Sequence, residues 1–107
     1  MNEFSERVIE IILSIPEGKV VSYGWIALMA GNPRGARQVA RLLHSASGKY
    51  DLPWHRVVNS SGRISLPSGM GLEEQALLLR NEGVIVSEDG RIKMIRFHWA
   101  PGTELRG

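Results

Sequence analysis

Across residues 3 to 15, EFSERVIEIILSI, the apolar positions Phe4, Val8, Ile11 and Ile15 recur at steps of four and three, with Ile12 beside them. That spacing predicts an amphipathic helix whose polar side is Glu6, Arg7, Glu10 and Ser14, ended by Pro16. The next apolar stretch, YGWIALMAG, follows Ser22, a good N-cap residue, and closes at Gly31, so a second helix is expected there. After the turn GNPRG, the stretch ARQVARLLHSA has two faces. Ala36, Val39, Leu42 and Leu43 point one way, while Arg37, Arg41 and His44 stand at i, i+4 and i+7 and share the other. A further helix is predicted over LEEQALLLRNEG, with acidic residues in its first turn, Arg80 in its last and Gly83 beyond. The tail VIVSEDGRIKMIRFHW alternates like a small hairpin turning at Asp89 and Gly90. Between these, SASGKYDLPWHRVVNSSGRISLPSGMG is rich in Gly, Ser and Pro and reads mostly as loop, which in a small protein is where function tends to sit.

Two short helices joined by a glycine- and proline-bearing turn, the second with a basic outer face, form the pattern of a helix-turn-helix. The fold expected is therefore mainly α, a winged helix-turn-helix-like single domain spanning residues 1–107, with a small β-hairpin. At 107 residues the chain suffices for one core and not two. On pattern alone Arg37 and Arg41 also fit a solvated helix face.

Composition narrows the chemistry. Hydrophobic residues at 43% and charged ones at 22% describe a folded protein rather than a disordered one. The net charge of +2 is modest, but Arg34, Arg37 and Arg41 fall within eight residues, and this local concentration suits an anionic partner. There is no cysteine, which excludes disulfides, thiolate metal sites and thiol nucleophiles. No apolar run reaches the roughly 18 residues of a membrane span and the N-terminus is acidic, so a cytoplasmic location without membrane contact is expected.

Four stretches in one order, VVSYG, NPRGARQVARLL, LPWHRVV and LLLRNEG, resemble the DNA-binding domain of the O6-alkylguanine-DNA alkyltransferases over about residues 4 to 86. In that family the loop motif is Pro-Cys-His-Arg-Val and its cysteine accepts the alkyl group. Trp54 stands there in this chain, so it resembles the alkyltransferase-like branch, which keeps the DNA reader and lacks the acceptor. The chemistry agrees: removing an alkyl group from a guanine oxygen needs a soft, strong nucleophile, and a neutral indole is not one.

The resemblance implies roles residue by residue. Arg37 matches the arginine that enters the base stack, with Arg34 and Arg41 beside it on the DNA face. Tyr23 matches the tyrosine that helps turn the target nucleotide outward. The pocket for the flipped base is implied to be walled by Tyr23, Leu43, Trp54, Val57 and the loop around Ser68, with main-chain groups at Trp54, Val57 and Ser68 on the guanine edge. Arg63, in the same loop, could reach the base or a phosphate, or simply be solvated. His55 and Glu82 match the general base and the carboxylate that orients it, a relay without a thiol to deprotonate. One departure bears on pocket shape: the family's Tyr-Ser-Gly-Gly before the last helix is replaced by LPSGMG, putting Leu66 and Pro67 where an aromatic lid is usual. Trp25, Met29 and Trp99 are read as packing residues.

The expectation that follows is a non-enzymatic reader of O6-alkylguanine in double-stranded DNA. It flips the lesion into a Trp-lined pocket, transfers nothing, and marks the site for nucleotide excision repair proteins. No cofactor or metal is expected, and the protein is expected to act as a monomer. A sequence-specific regulator built on the same two helices is the alternative; it needs base-edge readers beside the arginines, and Gln38 alone qualifies. An enzyme using His55 and Glu82 is a second alternative, disfavoured by the missing nucleophile.

Overall fold

The computed structural model describes residues 1–100. Helix α1 spans Glu3–Ser14, with the Asn2 side chain accepting from the Ser5 N–H at its start. It buries Val8, Ile12 and the following Ile15 of the expected stripe and Ile9 beside them, with Phe4 and Ile11 half-buried, while Glu6, Arg7, Glu10 and Ser14 stay exposed. Strand β1, Val21–Ser22, runs directly into α2, Tyr23–Met29, whose N-cap Ser22 accepts from the Trp25 N–H at 3.1 Å. The helix ends as a left-handed turn: Gly31 has φ of +98°, its N–H donates to Leu28 O, and the Asn32 N–H donates to Ala27 O. A side chain at that φ would be strained, which is why glycine closes the helix.

Helix α3 is longer than the pattern suggests, Ala36–Tyr50, running through Ser45–Tyr50 where loop is expected. Gly48 and the serines are poor helix formers, but Ala46 is buried and Tyr50 packs against the core, so tertiary contact outweighs local preference. The helix stops at Asp51, in the left-handed conformation at φ of +53°, and Leu52 turns inward. A single 3-10 turn, Trp54–Arg56, leads into β2, Val57–Val58. The two strands are parallel, Val21 facing Val57 and Ser22 facing Val58, and the crossover that parallel pairing demands is supplied by α2 and α3. Helix α4 covers Leu72–Asn81, and α5 is one turn, Met94–Phe97.

The tail corrects one expectation. The turn at Asp89 and Gly90 is present, closed by Gly90 N–H to Ser87 O and Ser87 N–H to Arg91 O. Its two arms, however, do not form a ladder with each other. Residues 90–92 pair instead with 62–64, through Ile64 N–H to Gly90 O and Ile92 N–H to Gly62 O. Beyond that the chain coils into α5 before Val20 pairs with His98. The alternation is real, since Val84, Val86 and Ile92 are buried, but alternation fixes which face is inward and not which neighbour supplies the hydrogen bonds. The sheet is thus two parallel strands from distant parts of the chain, not a hairpin.

That sheet separates two apolar clusters. Val21 and Val57 face the first, with Val8, Ile12, Ile15, Ile26, Val39, Leu43 and Trp99. Val20 and Val58 face the second, with Ile64, Ala76, Leu79, Val84, Val86, Ile92 and Phe97. Consecutive strand residues point to opposite sides, so four valines suffice to join both cores. The 3-10 turn carrying Trp54, His55 and Arg56 sits immediately before this seam.

Candidate nucleic-acid interface and the buried relay

The turn places Trp54 and His55 in opposite settings. His55 points inward: its Nε2 lies 2.6 Å from Glu82 Oε2, and the two side chains are only 14% and 10% exposed. Glu82 is the C-cap residue of α4, and it is met there by two more donors. Arg56 donates to it from Nε at 2.9 Å and Nη2 at 2.7 Å, and the Gly18 N–H donates at 2.9 Å. Arg56 also reaches back through Nη1 to the Ile15 carbonyl at 2.9 Å, so one guanidinium joins the end of α1 to the end of α4. Gly18 has φ of +86°, and a Cβ there would stand 3.3 Å from the Glu82 carbonyl; glycine lets the turn come close enough to donate. Burial pushes the Glu82 carboxyl up, but the hydrogen bonds from Arg56, His55 and Gly18 outweigh it and hold the pKa at about 2 against an ordinary 4.5.

Trp54 faces the other way, onto a cavity of about 360 Å³ lined by Tyr23, Ala40, Leu43, His44, Ser47, Trp54, Ser65, Leu66 and Gln75. Its ring stands nearly perpendicular to that of His55, centroids 6.1 Å apart, and Trp54 lines the cavity whereas His55 and Glu82 do not. Ala40, Leu43, His44 and Ser47 are one stripe of α3, and the small Ala40 and Ser47 leave the room that larger residues would fill. Tyr23 Oη lies 3.3 Å from Ser65 Oγ, linking the start of α2 to the loop before α4. Gln75 is buried, and its Nε2 donates to the carbonyls of His55 and Val57 at 3.0 Å each, fixing the turn that carries Trp54.

Of the residues singled out in the sequence, Tyr23, Leu43 and Trp54 therefore meet at one cavity, with Leu66 closing part of it. Val57 does not line it: the side chain is 1% exposed in the core, and its carbonyl is occupied by Gln75. Ser68 lies outside as well, bonded to Glu73 at 2.6 Å with the Gly69 N–H on the same carboxylate, which ties the loop to the first turn of α4. Arg63 is exposed and directed to Asp89, 3.2 Å from its carboxylate. Arg56 and Gln75 were not evident from the sequence. Each acts by reaching backbone or a carboxylate far along the chain, and no local spacing signals that. The stripe of Ala40, Leu43, His44 and Ser47 was readable, but its small residues do not announce a cavity until Trp54 is placed opposite.

The basic face of α3 differs from the rest of the surface. The side chains of Arg34, Arg37, Arg41 and His44 are exposed and form no hydrogen bond or ion pair among the described residues. Of the other described arginines, five have hydrogen-bonded or ionic partners, Arg7 with Glu3, Arg56 with Glu82, Arg63 and Arg91 with Asp89, Arg80 with the Val86 carbonyl, and Arg96 lies over the Phe97 ring. Unpaired basic side chains gathered along α3 and the turn before it, with His44 on the cavity wall, are a footprint for an anionic polymer. Among the described residues no group of His, Asp and Glu is placed to hold a metal, and no helix is long and apolar enough to cross a membrane.

Known proteins resemble this chain in sequence and fold. A DNA base-flipping protein of Escherichia coli strain K12 is 47% identical over 98 residues, 92% of this chain and 75% of that protein. Alkyltransferase-like protein 1 of Schizosaccharomyces pombe is 35% identical over 106 residues, 94% of this chain and 98% of that one. The crystal structure of S. pombe Atl1 in complex with damaged DNA containing O6-carboxymethylguanine superposes with a TM-score of 0.81 at 36% identity, covering 94% of this chain and 98% of that one. The description "6-O-methylguanine DNA methyltransferase, DNA binding domain" matches residues 3–84, and with relatives of this identity and coverage the chain belongs to that family.

Proposed function

We propose that this protein recognises O6-alkylguanine in double-stranded DNA by turning the damaged nucleotide into the cavity beside Trp54, leaves the alkyl group in place, and marks the lesion for nucleotide excision repair. The observation that carries the reading is the position of Trp54: it forms the wall of the cavity directly in front of His55 and Glu82, in a chain with no cysteine. The indole stands where a thiol would have to be, and it is not a nucleophile. The cavity, at about 360 Å³, is at the small end of the range for ligand pockets and suits one base rather than a larger ligand. The exposed arginines of α3 supply the attraction to phosphate, and Arg37, in the first turn of that helix, is the residue that fills the gap left by the flipped base. Relatives named for base flipping and for alkyltransferase likeness support a reader without transfer. Action as a cytoplasmic monomer belongs to the same proposal.

Flipping costs a few kcal/mol of unstacking, less where the base already pairs poorly, and burial of the alkyl group against Trp54 returns about 0.8 kcal/mol per carbon. The two terms together favour the lesion over guanine. The test is a binding titration with duplexes that differ only in O6-methylguanine against guanine, followed by mass spectrometry of the recovered DNA. Tighter binding to the lesion with the methyl group retained is expected. Equal affinities, or restored guanine, would overturn the proposal.

A further inference from the structure

Of the nine residues lining the cavity, His44 alone can carry a positive charge. The others are apolar, hydroxyl-bearing or amide side chains, and among the described residues no carboxylate lines it. The imidazole has no hydrogen-bond partner among the described residues, so both nitrogens are available. The charged and titratable groups on the surrounding elements are otherwise placed. Tyr23 on α2 faces Ser65, and Arg37 and Arg41 lie on α3 outside the cavity wall. His55 and Arg56 turn away to Glu82, Arg63 pairs with Asp89, and Glu73 on α4 is held by Ser68 and Gly69. Glu74, also in the first turn of α4, is not on the wall.

We infer that His44 makes this cavity select among adducts by charge, favouring O6 substituents that end in a carboxylate over uncharged ones of the same shape. The inference rests on the proposed lesion reading and adds to it a substituent class and the residue that chooses it. A carboxylate in the cavity meets the His44 imidazole on the wall, while the alkyl stem stays against Trp54 and Leu43. A phosphate contact from the same imidazole would strengthen binding to every duplex alike, so the ratio between two adducts isolates the adduct contact.

The experiment compares one duplex carrying O6-carboxymethylguanine, O6-(carbamoylmethyl)guanine or guanine. The two adducts share a shape and differ in charge. Dissociation constants are measured for the wild type and for variants at position 44. For the wild-type protein a preference for carboxymethyl over carbamoylmethyl of about threefold is expected, the size of a partly exposed ion pair. His44→Gln should remove it, His44→Lys should keep it, and His44→Glu should reverse it. A preference that ignores the charge at position 44, while each adduct is still bound more tightly than guanine, would overturn the inference and leave lesion reading intact. Failure of either adduct to exceed guanine would remove both.

Discussion

Two groups of polar side chains lie on either side of the Trp54 ring, and they are held in opposite ways. Behind it, His55, Arg56 and Glu82 are almost enclosed, and the carboxylate is fully engaged by two side chains and one backbone N–H. On the cavity side His44 lines the wall, and it is exposed and uncommitted, as are Arg37 and Arg41 on the same helix. A group whose hydrogen bonds are spent within the fold has little left to offer a ligand, whereas a free cation beside a cavity contributes nothing to folding and is available for binding. On the proposed reading, the residues that match a catalytic relay serve the scaffold, and recognition falls to the free face of α3.

If that division is right, the largest effect of mutation behind Trp54 falls on stability. Glu82→Ala strands the Arg56 guanidinium and the His55 ring in the interior, and removal of one partner of a buried pair costs about 3–5 kcal/mol. Urea unfolding monitored by tryptophan fluorescence measures it. A loss within about 0.5 kcal/mol would mean that the cluster is not holding the ends of α1 and α4 together.

Acid should act on the same group. The Glu82 pKa is about 2 in the fold and 4.5 as its ordinary value, so the carboxylate's contribution is present in full above pH 4.5 and is lost as the pH falls through 2. The shift corresponds to about 3 kcal/mol. Stability followed from pH 5 to pH 2 should decline by that order in the wild type and much less in Glu82→Gln; parallel curves would contradict the assignment.

In front of Trp54 the effects should be smaller and fall on binding. Arg37→Ala is expected to reduce the preference for lesion over guanine by on the order of tenfold, about 1.4 kcal/mol, because flipping becomes more costly when nothing fills the gap. Trp54→Ala should lower the preference for O6-methylguanine by about 0.8 kcal/mol, roughly fourfold, the contribution of one buried methyl. Arg41→Ala, one turn along α3, should weaken lesion and guanine duplexes alike and reduce the salt dependence of binding by about one ion. Competition titrations at several salt concentrations separate the three outcomes.

How much of this is written in local sequence depends on the range of the interaction. The boundaries of α1, α2 and α4 follow from residues within a few positions: Asn2 and Ser22 as caps, Gly31 and Gly83 as left-handed terminators. The parallel pairing of Val21 with Val57 spans 36 positions and involves strands of two residues, too short for any period to register. The last turns of α3 run against their own propensity because Ala46 and Tyr50 find a core. At the site, Tyr23, Leu43 and Trp54 were identified through a family resemblance and do share a cavity, while Val57, Arg63 and Ser68 stand away from its wall. Arg56 follows the conspicuous Trp-His pair, but its importance lies in Ile15 and Glu82, neither of them near in sequence.

The central claim is that the free face of α3 reads the DNA while the relay behind Trp54 only supports the fold. The most direct measurement is the ratio of dissociation constants for guanine and O6-methylguanine duplexes, determined side by side for Glu82→Gln and Arg37→Ala under conditions where both are folded. The account predicts a wild-type ratio in Glu82→Gln, despite its lower stability, and a ratio reduced by on the order of tenfold in Arg37→Ala. A ratio lost in Glu82→Gln and retained in Arg37→Ala would contradict it, placing recognition in the relay and leaving the arginine a backbone contact.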